Sequence, residues 1–215
     1  MSDSQGALAH HFEDLEQQRD AHTLGMWVFL VTEVMFFGGL FAGYAVYRNA
    51  YPEAYAAASR MLDVKLGGMN TAVLIGSSFT MVLAVHAAQQ RKRVAIAAWL
   101  WATIVLGAIF LGVKYFEYAE KWHHHLIPGP NFMFEGKAGG HEQLFFAFYF
   151  AMTGLHALHM IIGIGLLAWL SVLALRGRFT KPGRNAVDLC GLYWHFVDLV
   201  WIFLFPLLYL IGRHS

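Results

Sequence analysis

The sequence predicts an all-α, polytopic membrane protein with five transmembrane helices. Three observations predict it. Five runs of about 20 mostly apolar residues recur along the chain, each long enough to cross a bilayer core. Charged residues are only 13% of the 215 positions, where a soluble domain carries roughly 25%. Lys and Arg crowd into two of the shortest connections, as cytoplasmic loops do.

The runs fall at 23–47, 70–88, 94–118, 143–175 and 187–212. The fourth, at about 1.5 Å per residue, outreaches a bilayer core and must tilt or project. Arg91, Lys92 and Arg93 fill the connection 89–93, and Arg176, Arg178, Lys181 and Arg184 sit in 176–186. The connections 48–69 and 119–142 are longer and mix Arg60, Lys65, Lys121 and Lys137 with Glu53, Asp63, Glu120 and Glu135. Charge density therefore puts the N-terminus inside and the C-terminus outside. Pro128, Pro130 and the nearby glycines mark turns in 119–142.

Segment 1–22 reads as a polar tail, with Asp3, Glu13, Asp14, Glu16 and Asp20 against Arg19. It has no apolar core, so the first span is expected to act as an uncleaved insertion signal. Residues 23–215 read as one transmembrane domain. The net charge of +1 gives no electrostatic case for nucleic acid. Cys190 is the single cysteine and cannot form an internal disulfide.

The first span carries Glu33 near its middle. An ionisable group at that depth costs about 2–3 kcal/mol on insertion scales, so it has a partner or a task. Steps of three, four and seven place Phe29, Phe36, Leu40, Tyr44 and Tyr47 on its face. Proton handling and structural or lipid contact are both open for it. Gly39 and Gly43 form a small-xxx-small pair suited to close helix approach. The second span holds Asn70, Thr71, Ser77, Ser78, Thr80 and, at its inner end, His86. Lys114, Glu117 and Lys121 are read as an interfacial, salt-bridged end of the third span, with Tyr115, Tyr118 and Trp122 in the aromatic belt. The tract His123, His124, His125 suits metal by composition, but no acid or cysteine lies at a completing spacing. On the fourth span His156 and His159 share a face, one turn after Thr153. On the fifth, Asp188, His195 and Asp198 make a polar stripe in which an Asp–His pair could satisfy itself.

The runs TEVMFFGGLFAGY, MNTAVLIGSS, KYFEYAE, FYFAMTGLHALHMIIG and YWHFVDLVWIFLF resemble, in that order, subunit III of the heme–copper oxidases. The resemblance covers about 24 to 212 and is similar to the five-helix bacterial form, since the first two helices of seven-helix members have no counterpart. It implies a bundle arranged as a V around a lipid-filled cleft. It implies a subunit with no catalytic residue, metal or cofactor of its own, supporting oxygen reduction and proton pumping by a partner that holds the hemes and copper. The implied partners are subunit I by direct helix packing, subunit II, a small subunit IV, phospholipids, and cytochrome c as donor to the complex. Glu33 falls on the family's buried, carbodiimide-reactive glutamate, with Phe29 beside it in the lipid cleft. Arg176, or else Arg178, falls near an arginine on lipid phosphate. His156, His159, His195 and Asp198 match motif positions of structural or lipid-facing type. The implied location is the bacterial inner membrane, with a cytoplasmic N-terminus and a periplasmic C-terminus.

Quinol oxidases and a nitric-oxide-reductase-associated relative share this body, although the TEV and MNT runs are closer to the cytochrome c oxidase branch. Two other classes stay in view: a proton-coupled carrier using Glu33 and Asp198, and a bis-histidine cytochrome using His86, His156, His159 or His195.

Overall fold

A computed structural model describes residues 14–130, 132–134, 137–138, 140–178 and 186–210. The expected tail 1–22 is described only from Asp14 onward, and positions 211–215, Lys181 and Arg184 lie outside the described residues. Among the described residues, five helices are long and apolar enough to span a membrane.

Helix α1 runs Leu15–Ala50. It starts well before the apolar run, because Asp14 accepts the Gln17 N–H at 2.7 Å and caps it. A nine-residue helix, α2 (Pro52–Arg60), follows with proline in its first turn. Apolar run length does not register it; Tyr55, Ala58 and Ser59 are its buried face. Helix α3 (Val64–Gln89) is capped by Asp63, which accepts from the Lys65 and Leu66 N–H groups. Helix α4 spans Arg93–His123. A two-residue antiparallel ladder, β1 (Met133–Phe134) with β2 (Lys137–Ala138), interrupts the next connection. Helix α5 covers Glu142–Leu175 and stops at Gly177, whose φ of +73° suits glycine. Helix α6 (Ala186–Phe205) continues into a π-turn at Pro206–Leu210.

Helices α3, α4, α5 and α6 close a ring, each packed on two neighbours. Its centre is Trp194, fully buried. A Cβ on Gly107 of α4 or Gly163 of α5 would stand 2.9 Å from the indole, so both glycines make room for it. Trp194 Nε1 donates to Ser77 Oγ at 3.1 Å, and Trp201 Nε1 to Thr71 Oγ1 at 3.1 Å. The α3 hydroxyls thus anchor the tryptophans of the adjacent α6.

Helix α1 stands outside this ring, against α5, α6 and α2. Among its described larger apolar side chains it buries only Leu30, Phe37 and Tyr44, a stripe of period seven. Tyr44 fastens its C-terminal end by donating to the Leu207 carbonyl at 3.0 Å. Of the expected glycine pair, only Gly43 sits close to a neighbour, the Phe148 ring; Gly39 faces open space. Most other α1 side chains face outward, as expected of a lipid- or subunit-facing helix.

Candidate functional site

Three places bring intramembrane polar residues of different helices together. The first is the seam between α1 and the ring. Glu33 Oε2 lies 3.2 Å from His159 Nε2. His159 Nδ1 faces the Leu155 carbonyl at 2.8 Å. A carbonyl only accepts, so Nδ1 carries a hydrogen. Nε2 then either accepts a proton from a Glu33 carboxyl or, as imidazolium, donates to its carboxylate. The pair therefore bonds through one shared proton. Phe37 packs edge-on to His159 at 5.5 Å, and Tyr193 donates to the His159 carbonyl at 3.0 Å. Phe29 lies 6.1 Å from Tyr193, on the outer rim. The aromatic wall thus differs from the expected one. Phe36 and Tyr47 point outward, and Phe37, one turn beyond Glu33, takes the inner place. Phe37 stands four residues from Glu33, a step the expected wall left out, and it lies on the stripe Leu30, Phe37 and Tyr44 that docks α1.

The second place lies at the π-turn end of the ring. Lys114 and Glu117 form a buried ion pair at 2.9 Å. Lys114 Nζ also donates to Tyr149 and Tyr209 hydroxyls, each at 3.1 Å. Both hydroxyls donate to Glu117 Oε1, at 2.9 and 2.5 Å. Every charge is met, the condition under which a buried pair is tolerated. This corrects the reading of KYFEYAE as an interfacial end. Tyr115 and Trp122 are exposed as expected, but Lys114 and Glu117 point into the ring and Tyr118 bonds Thr153 at 2.5 Å. Lys121 is also buried and donates to the Met61 carbonyl at 2.8 Å, tying α4 to the α2–α3 connection. The π-turn brings Tyr209 to Glu117, a contact with no signal in local spacing.

The third place is the α3–α6 seam. His195 Nδ1 pairs with Ser78 Oγ at 2.7 Å. The expected Asp–His pairing therefore does not form, because α3 supplies the partner. Asp198 is buried with neither oxygen hydrogen-bonded.

His156 and His159 also part company. His156 turns into the ring, where its Nε2 donates to the Val197 carbonyl at 3.2 Å between Phe110 and Trp201. His159 faces α1. His86 is exposed and pairs with Gln90. The tract His123–His125 is exposed, and among the described residues no three His, Cys, Asp or Glu cluster to hold a metal. Arg176 and Arg178 are exposed at the end of α5.

These features define a multi-pass membrane protein whose polar groups bind helix to helix. The family model described as cytochrome c oxidase subunit III matches residues 8–213. A cytochrome c oxidase subunit 3 of Thermostichus vulcanus is 32% identical, over 98% of this chain and 97% of its own length. One from Bacillus subtilis is 34% identical over 88% and 86%. A quinol oxidase subunit 3 of Bacillus spizizenii is 31% identical over 88% and 86%. The chain belongs to the cytochrome c oxidase subunit III family, the non-catalytic subunit III of the oxidases.

Proposed function

We propose that this chain is subunit III of a bacterial aerobic cytochrome c oxidase, supporting oxygen reduction and proton pumping in subunit I without a redox centre of its own. The observation that carries the reading is the family match across residues 8–213. The ring α3–α6 is the rigid body. Helix α1, docked by a narrow stripe, forms one wall of a V-shaped, lipid-filled cleft. Phe29 and Glu33 line that cleft, and Arg176 or Arg178 meets lipid phosphate. Subunit I packs directly on this chain, with subunit II and a small subunit IV in the same complex. Hemes and copper belong to those partners. The N-terminus lies in the cytoplasm and the C-terminus in the periplasm of the inner membrane.

A quinol oxidase is the second reading, favoured by the quinol oxidase subunits among the relatives. Purifying the native complex tests both. The reading expects a large heme- and copper-bearing subunit in equal amount and oxidation of reduced cytochrome c. Turnover with quinol alone selects the second reading. Isolation of this chain by itself, or with a heme band of its own, overturns both.

A further inference from the structure

Asp198 lies midway along α6, twelve residues or about 18 Å from Ala186. Only 4% of it is exposed, and neither carboxyl oxygen has a hydrogen-bond partner. The Ser77 and Ser78 hydroxyls adjoin its carboxyl within reach, but each is held at hydrogen-bond distance by another group. Ser77 Oγ donates to the Leu74 carbonyl at 2.9 Å and accepts from Trp194 Nε1 at 3.1 Å. Ser78 Oγ is paired with His195 Nδ1 at 2.7 Å. Even if His195 donates and frees the Ser78 proton, one Asp198 oxygen stays unmet. Ser78, His195 and Asp198 form the polar side of a groove of about 410 Å³ between α3 and α6. Its rim is apolar and outward-facing, with Phe79, Leu199 and Ile202 exposed.

A buried carboxyl without a partner is costly, and more so in hydrocarbon. An acyl chain in the groove would cover the rim and bring no donor. A lipid headgroup stays near the interface and does not reach mid-span. A second helix brings both an apolar face and a donor at this depth, and interhelical hydrogen bonds are what give membrane helices specific partners.

We propose that the α3–α6 groove docks a transmembrane helix of another oxidase subunit, which sets a hydrogen-bond-donating side chain against Asp198. The inference rests on the proposed membership of an oxidase complex. It adds which face is used and what chemistry the partner helix presents.

The test uses the intact purified oxidase with a photoreactive benzophenone amino acid in place of Phe79 or, separately, Leu199. Irradiation is expected to join either position to a transmembrane segment of another subunit, near a donor side chain. Adducts confined to lipid or detergent overturn the docking, while the oxidase reading stands. Failure of the unmodified chain to purify with any oxidase subunit overturns both. A second measurement compares Asp198→Asn with Asp198→Leu. The amide keeps the hydrogen bond and should hold this chain in the complex. The leucine should lower retention on detergent dilution by about three- to tenfold. Equal retention of the two variants overturns the role of Asp198.

Discussion

Glu33 and His159 join α1 to the four-helix ring through a single shared proton. Their atoms stand 3.2 Å apart, and the second His159 nitrogen is committed to the Leu155 carbonyl. The bond sits on a helix that buries few large side chains, so it holds a large share of the specific docking of α1.

Glu33→Gln should preserve this bond, because an amide donates to a neutral Nε2. Glu33→Leu should lose it, at about 0.6–1.7 kcal/mol, the range of interhelical hydrogen bonds. Thermal unfolding of the purified complex in detergent reads the difference. Both variants should lose labelling by a hydrophobic carbodiimide. Equal melting of the two would show that the bond does not fasten α1.

Glu117→Gln should destabilise the ring by about 3–5 kcal/mol, since it leaves the buried Lys114 ammonium without a counter-charge. Adding Lys114→Met should recover part of that loss. Denaturant midpoints of the three proteins check the order.

Gly107→Ala should cost about 1–3 kcal/mol, because its Cβ would press into Trp194. Gly112→Ala, on the same helix and with no atom within 4 Å of the new Cβ, should be neutral or mildly stabilising. A melting shift for Gly112→Ala as large as that for Gly107→Ala would contradict the packing around Trp194.

Tyr55, on α2 outside the spans, is buried with its hydroxyl unpartnered. Burial first, then the neighbouring Tyr44, pushes its pKa above the ordinary 10.0. A phenol raised in the folded state stays neutral there while the unfolded chain ionises. Stability is therefore kept below pH 10 and falls as pH rises beyond it. Tyr55→Phe should remove that alkaline loss and gain about 1 kcal/mol at neutral pH. Unfolding measured at pH 7 and above pH 10 decides both parts.

Much of this protein is legible in one dimension. Five apolar runs give five spans, since a bilayer demands length and hydropathy and both are local. Their ends were less legible. Asp14 and Asp63 cap helices outside the apolar runs, and α2 is too short for run length to mark. Glu33 was legible as an expensive group needing a partner. His159, 126 positions away, was named for its own motif and not as that partner.

The sequence alone determined the class, the number of spans, the family resemblance and the residues whose burial needs explaining. Tertiary structure decided which of them meet. Lys114 turned from an interfacial charge into the centre of a buried network because a π-turn delivers Tyr209. His195 took Ser78 in place of Asp198 because α3 lies alongside α6. Apolar residues on a span look alike whether they face lipid or another helix, so hydropathy finds the helices and cannot orient them. Only packing, set by Trp194 between two glycines and by hydroxyls on a neighbouring helix, decides which polar side chains find partners and which, such as Asp198 and Asn70, are left without one.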